Sequence, residues 1–258
     1  MASHDAASNN WAEPEGCRDD CKSFSGYRYD TAMAFVATLD EAIHPKFVRI
    51  DWDEQFHNQA DETIKEDSYT PELLASGTCD LYPNVLYEVD WRKSKMDLVG
   101  LASFRDIIMV HDTLKDQITT PQDLAGKRTA FAQGLAGLEW LKQANQSTYA
   151  DDPIKIEMVE EFEEVIDLIE AGQIDFIYMY PEVALGPRGQ DIENVATAFS
   201  VGRLYTGSWA LRKEDKDLQD AVGAFFDTQK PDPDSDLNQA WSKTFKLTLP
   251  EWDELMTK

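Results

Sequence analysis

The sequence predicts an α/β fold in two lobes, each a mainly parallel sheet flanked by helices. Three observations carry this expectation. Short apolar runs of strand character alternate with helix-period segments almost throughout, which is the signature of parallel strands joined by crossover helices. Gly and Pro fall at the joints between these segments. Two such alternating sets are separated near residue 103, one for each lobe.

Taken in order, residues 1–25 are a loop by composition, polar and rich in Asn, Asp, Glu, Gly and Pro. Trp11 stands alone in it, as a clamp against a core or a platform for a ligand. YRYDTAMAFVATL (Tyr27 to Leu39) reads as a helix, with Met33, Val36 and Ala37 at helical spacing. FVRIDW alternates with Val48, Ile50 and Trp52 on one face, so a strand is expected there. Residues 53–69 are polar and charged, either a helix with an insertion or a long surface loop. Pro71 to Ser76 is a short helix with Pro at its start and Gly77 past its end. A strand, Thr78 to Leu81, then leads into a loop holding Asn84, Tyr87, Trp91 and Arg92. In open α/β sheets, ligands bind just beyond the carboxyl ends of strands.

A second apolar run, Met96 to Leu101, precedes a buried strand, Asp106 to His111. Pro121 opens a short helix that Gly126 closes, and Arg128 to Ala132 is a strand. Gly137 to Ala144 is a helix, Ile154 to Val159 a strand. Phe162, Val165, Ile166 and Ile169 share one face of a helix ending at Gly172. Ile174 to Tyr180 is a strand, and Pro181 starts another helix. Ser208 to Lys213 is a strand, Lys216 to Gln229 a helix, and one final helix closes the chain.

The 258 residues fit one large domain or two smaller ones, and 42% hydrophobic content excludes a disordered chain. A net charge of −25, from 24 basic and 49 acidic residues, excludes nucleic acid as a partner and disfavours an anionic membrane surface. No run approaches the roughly 18 apolar residues of a membrane span, and MASHDAASNN has neither the basic nor the apolar region of a signal peptide. Cys17 and Cys21 sit close enough for a local disulfide, with two free thiols the alternative. Cys79 lies in an apolar stretch as a core thiol. A zinc site would need two ligands beyond Cys17 and Cys21, no second cysteine or histidine pair with ligand spacing is present, and His4, His44, His57 and His111 are scattered. G-x-S-x-G, H-E-x-x-H, phosphate-loop and dinucleotide-loop motifs are all missing, so no catalytic residue, metal or cofactor is expected.

Arg92 offers a planar fork that can take a carboxylate bidentately; a surface ion pair with Glu88 or Asp90 is the alternative. Lys93 and Lys95 read as solvated. Tyr87, Trp91 and Tyr180 are core or site residues. GLAG at Gly134 to Gly137 leaves backbone N–H groups free at a helix start, suited to an anionic group or to an ordinary turn.

The order of motifs resembles periplasmic solute-binding proteins of the polar amino acid class, bacterial family 3. GYRYDTAMAFVATL resembles that family's G-F-x-x-D-L-A helix. GTCDLYPNVLYEVDWRKSKMDLVGLAS resembles G-x-x-D followed by T-x-x-R-x-x-x-x-D-F-S. PQDLAGKRTAFAQGLAGLEWLK resembles D-L-x-G-K-x-V-x-V-x-x-G-T-T, EAGQIDFIYMYPEVAL resembles G-x-x-D-A-x-x-x-D, and SWALRKEDKDLQDAVGAFF resembles G-x-A-x-R-K-x-D-x-x-L. The resemblance runs from Gly26 to near the end. It implies a type II periplasmic binding protein clamshell. Lobe 1 would be residues 1–103 with 206–258, lobe 2 residues 104–205, and the hinges near 103–106 and 204–207. It also implies a periplasmic or extracytoplasmic location and a small-molecule ligand held between the lobes with no chemistry done on it, so no enzyme is expected; a related dehydratase, with Glu88 and Glu182 the candidate acids or bases, is the alternative. Partners would be an ABC-transporter permease, a receptor module or, in an accessory role, a periplasmic dehydrogenase of the methanol-oxidation type.

Carried over position by position, the resemblance makes Arg92 the anchor of a ligand carboxylate. Gly134, Leu135 and Ala136 share that carboxylate, and Tyr180 stands where the family's ammonium-binding Asp falls. Asn84, Val85, Tyr87 and Trp11 line the first lobe. Leu135 and Ala136 replace two threonines, and Tyr180 supplies no charge at neutral pH. The resemblance with these departures points to a carboxylate-bearing or aromatic solute rather than a plain α-amino acid.

Overall fold

The computed structural model describes residues 11–13, 17, 18, 20–57, 69–132 and 137–258. The first half of the chain runs β1 (Trp11–Glu13), β2 (Ser23–Ser25), α1 (Tyr27–Val36), α2 (Glu72–Ala75), β3 (Leu81–Tyr87), α3 (Asp90–Lys95), β4 (Asp97–His111), β5 (Arg128–Ala132) and α4 (Gly137–Gln146). The second runs β6 (Lys155–Val159), α5 (Phe162–Glu170), β7 (Phe176–Met179), α6 (Pro181–Ala184), α7 (Pro187–Gln190), β8 (Val195–Leu211), α8 (Lys216–Gln229), α9 (Asp236–Phe245) and α10 (Leu249–Thr257). The chain divides into two compact units. Unit 1 is Met1–Phe104 with Tyr205–Glu254, and unit 2 is Arg105–Leu204 with Leu255–Lys258.

Two of the three passages between the units occur inside long strands, β4 and β8, which neighbour each other in a sheet of order β3-β8-β4-β7; the third falls in α10, after Glu254. The sheet directions differ from the expectation of mainly parallel pairing. Among the described pairings, β5–β6 is parallel, while β1–β2, β3–β8 and β4–β7 are antiparallel. The alternation of strand and helix in sequence does not fix direction when strands as long as β4 and β8 pair beyond their sequence neighbours.

Several local signals act as their chemistry requires. Gly126 and Gly172 adopt φ of +68° and +67° at the ends of a 3₁₀ turn and of α5, a conformation that Gly takes without a Cβ penalty. Thr120 donates from both its N and its Oγ1 to Asp123 at 2.8 Å, fixing the turn that Pro121 opens. On α5, Val165 and Ile169 are buried, as the helical spacing requires. FVRIDW buries Val48 and Ile50, yet residues 47–50 form no regular ladder; Arg49 instead donates its N–H to the Arg18 carbonyl at 2.9 Å. The single final helix of the sequence reading is two, α9 and α10, because Lys246 turns left-handed at φ +58°. Lys95 is 2% exposed with its Nζ 4.3 Å from the Tyr69 ring, so it is buried rather than solvated.

Each unit has its own core. In unit 1, Tyr27, Phe35, Phe104, Phe225, Phe245, Trp209, Trp241 and Trp252 are buried, with Trp241 edge-on to Tyr27 at 5.4 Å and to Trp252 at 5.0 Å. Asn238 knits α8, α9 and α10 together. Its Nδ2 donates to the carbonyls of Gln229, Lys230 and Asp232 at 3.0, 3.0 and 2.7 Å, and its Oδ1 accepts from Leu249 N at 2.6 Å. In unit 2, Ile108, Val110, Leu124, Phe131, Leu141 and Phe176 cluster under β4, β5 and α4. Cys17 and Cys21 are joined by a disulfide. Cys79 is a buried free thiol, and burial pushes it up to about 11. Among the described residues, no helix is long and apolar enough to cross a membrane, and no cluster of His, Cys, Asp and Glu could hold a metal.

Candidate functional site

The strand expected at Thr78 to Leu81 lies further on, at β3, Leu81–Tyr87. Pro83 and Asn84 read as loop residues, and the structure absorbs them in a bulge between Tyr82 and Leu86. Bulges tolerate Pro and re-aim the strand that carries them. Val85 takes φ of +25°, a costly conformation for a β-branched side chain. A Cβ at Gly207 would overlap Val85 and Phe104, so the bulge also requires a glycine on β8. Asn84 is 1% exposed; its Nδ2 donates to Gln55 Oε1 at 2.9 Å, and its Oδ1 is buried with no partner among the described residues.

Beyond the bulge, Tyr87 stacks on Tyr205 with centroids 5.0 Å apart and planes 12° apart. Its carbonyl accepts from Arg92 Nη1 at 3.0 Å. Arg92 stands in the last turn of α3, among three aromatic rings. Its guanidinium carbon is 5.1 Å from the Phe56 ring centre, 5.1 Å from Trp91 and 5.7 Å from Trp52. Phe56 is buried, whereas Trp52 and Trp91 remain 44% and 43% exposed. Burial lowers the Arg92 pKa, but guanidinium stays charged at physiological pH. Its Nε is buried with no acceptor among the described residues. Glu88 is engaged elsewhere, with Lys93 at 2.9 Å and with Ser208 Oγ at 2.8 Å. The chemistry on offer is recognition: a desolvated cation with open aromatic faces beside it.

Unit 1 holds Asn84, Val85 and Tyr87 on β3 and Arg92 on α3; of these, Tyr87 and Arg92 meet directly, while Asn84 and Val85 are buried in the bulge. Trp11 lies in β1, and its side chain is outside the described residues, as are Gly134, Leu135 and Ala136. Tyr180 belongs to unit 2, caps α6 and is 40% exposed. The sequence reading did not single out Trp52 and Phe56 as site residues. Their i, i+4 spacing in WDEQF was the available signal.

Unit 2 holds a second polar cluster that the sequence reading missed. Tyr178 on β7 donates its hydroxyl to Asp106 Oδ2 on β4. The Trp140 ring of α4 lies 5.5 Å from the Tyr178 ring, centre to centre. Gly202, at φ +80°, forms the floor: a Cβ there would sit 3.6 Å from Asp106 Oδ2, 3.8 Å from the Tyr178 oxygen and 3.9 Å from Trp140 Cδ1. At the start of α4, a Cβ on Gly137 would overlap the Tyr178 ring, so the ring is held against that helix end. Burial raises the Asp106 carboxyl above the usual carboxylate range, against the pull of the Tyr178 hydrogen bond.

An α/β chain of two units, joined through two long neighbouring strands, has the type II periplasmic binding fold. Solved structures bear this out. A polar amino acid ABC uptake transporter substrate binding protein from Streptococcus thermophilus matches with a TM-score of 0.72 at 18% identity, covering 96% of this chain and 86% of that one. A probable amino-acid ABC transporter extracellular-binding protein from Bacillus subtilis matches at TM-score 0.62 and 16% identity, over 92% and 91%. An ancestral cationic amino acid solute binding protein matches at TM-score 0.63 and 20% identity, over 92% and 90%. Residues 91–199 match the family model described as NMT1/THI5 like. No curated protein matches the chain. Identities this low establish the fold; function has to be argued from the residues.

Proposed function

We propose that the chain is an extracytoplasmic solute-binding protein, or a ligand-sensing domain of the same design, that takes a small carboxylate-bearing or aromatic solute for ABC import or signalling. The observation that carries this reading is Arg92, set among Trp52, Phe56 and Trp91 with its Nε lacking an acceptor among the described residues. A guanidinium on aromatic faces keeps its fork oriented, and a carboxylate meeting it there gains a charge-assisted hydrogen bond in a desolvated setting. The exposed rings of Trp52 and Trp91 add flat apolar area for a planar solute. The Cys17–Cys21 disulfide suits an oxidising compartment.

A thermal-shift screen of small metabolites, followed by calorimetry, tests the reading. A true solute at about 100 times its Kd stabilises the fold by about 2.7 kcal/mol. Arg92→Ala is expected to weaken that solute at least tenfold, and amidating the solute carboxylate to do the same. A screen without any stabilising solute, or a solute indifferent to Arg92→Ala, refutes it.

A further inference from the structure

We infer that the Cys17–Cys21 disulfide, acting through Arg18, positions the Trp52 ring beside Arg92, and that a dithiol reductant which opens the bridge releases this ring and weakens solute binding. This deepens the solute-binding reading and rests on it, by naming a regulation of the Arg92 site. Every residue involved belongs to unit 1.

The Trp52 ring needs something to hold it. It is 44% exposed, and residues 47–50, which lead to it, join no ladder. Val48, Ile50 and Phe56 are buried in one cluster and anchor the inner face of the stretch. Its outer face is fastened at Glu54, which uses both carboxylate oxygens. Oε2 accepts from Asp51 N at 2.7 Å and closes the turn, Asp53–Gln55, that follows Trp52. Oε1 takes Arg18 Nη1 at 2.6 Å. The Arg18 carbonyl in turn accepts from Arg49 N at 2.9 Å. Arg18 thus grips the stretch on both sides of Trp52, with its main chain before the ring and its side chain after it. Gln55 completes the hold, donating Nε2 to the Trp52 carbonyl at 2.9 Å.

Arg18 lies between the two bridged cysteines. A disulfide stabilises a fold chiefly by constraining the unfolded chain, and more so the longer the loop it closes. This bridge joins residues only four apart, so that effect is near the bottom of its scale. Its larger effect is local, on the backbone that carries Arg18. The Arg18 side chain is 54% exposed, and an exposed ion pair is weak because two long side chains must be held in one geometry. Fixing the backbone of one partner beforehand lowers that cost. Opening the bridge returns it. Cys17 is buried and Cys21 half-buried, so Cys21 offers the sulfur that a small dithiol reaches. A thiolate of the dithiol attacks the Cys21 sulfur and Cys17 leaves; the second thiol then resolves the mixed disulfide. Two electrons and two protons pass to Cys17 and Cys21, and the reductant departs as its own disulfide.

The test is fluorine NMR of the full chain labelled with fluorotryptophan, oxidised and then reduced with dithiothreitol, with Trp52→Phe assigning the Trp52 resonance. Reduction is expected to shift and broaden Trp52 while Trp209, Trp241 and Trp252, all in the core of unit 1, stay in place. Benzoate, a carboxylate on a ring, serves as the probe of the Arg92 site. Its apparent Kd rises as the competent fraction falls, so a ring held about one tenth of the time binds it about tenfold more weakly. The double variant Cys17→Ser with Cys21→Ser should reproduce both changes without reductant, and reoxidation of the native chain should reverse them. If the reduced chain unfolds, Arg18→Met takes its place: it keeps the bridge, removes the pair with Glu54 and should move Trp52 in the same direction, with Arg18→Lys restoring it. A Trp52 resonance that stays in place, or benzoate bound equally by both forms, overturns the inference. An oxidised chain that takes neither benzoate nor any solute of the metabolite screen overturns the solute-binding reading, and the Trp52 resonance alone then decides the positioning.

Discussion

Arg92 and Asp106 show two ways in which a charged residue can escape the surface. Arg92 buries its guanidinium against rings and shares one hydrogen bond with the Tyr87 carbonyl. Asp106 sits inside a strand with a tyrosine for company. The first was singled out through the family resemblance, since its letters alone, an arginine ahead of Lys93 and Lys95, equally suit a surface ion pair. The second was not, since which face of a strand a residue occupies depends on the strands beside it, and β4 pairs with β7, far away in sequence. Asn238 was equally silent. A buried asparagine reads like any surface amide until three carbonyls and one N–H are found around it. Asn238→Ala strands these groups and is expected to cost roughly 3 kcal/mol, read as a lower urea midpoint with an unchanged slope. A loss below about 1 kcal/mol would mean that α8, α9 and α10 hold together without it.

At the level of elements, punctuation was more legible than pairing. Helix ends followed from Pro and Gly: α2 starts behind Pro71, and Gly77 at φ +72° follows it. α8 spans Lys216–Gln229 as its apolar period indicates. Failures came where tertiary pairing overrides local cues, as at β3, whose bulge carries Pro83 and a left-handed Val85, and at β8, whose first half, from Val195, was not read as a strand. One tie between elements makes a pH prediction. Burial pushes Asp175 up, but the hydrogen bonds and charge of Arg128 outweigh it and hold the carboxyl below its usual range. The folded state therefore binds this proton less tightly than the unfolded chain. The resulting stability is present above about pH 4 and is lost as the pH falls through the depressed value. Arg128 is half exposed, so solvent screening limits the effect to about 1 kcal/mol. Arg128→Gln should cost that much at pH 7 and nothing at pH 2 in urea titrations; an equal cost at both would assign the pair no electrostatic role.

For the whole molecule, a net charge of −25 is a standing source of self-repulsion. Salt shortens the screening length from about 30 Å at 10 mM to about 8 Å at physiological strength. The Tm is therefore expected to rise by several degrees over that range, most clearly with a neutral solute or none bound; a flat or falling Tm in calorimetry would show that local ion pairs dominate instead. The split of the chain has another consequence, for synthesis. Unit 2 is almost contiguous, Arg105–Leu204, whereas the core of unit 1 needs partners from both sides of that stretch. Tyr27 and Phe35 leave the ribosome early, and the rings that cover them, on Trp209, Phe225, Trp241 and Phe245, come last. At about 5–20 residues per second the intervening stretch alone takes roughly 5–20 s. Through that interval the first helix waits with its aromatic face uncovered, a substrate for whatever chaperone meets nascent chains.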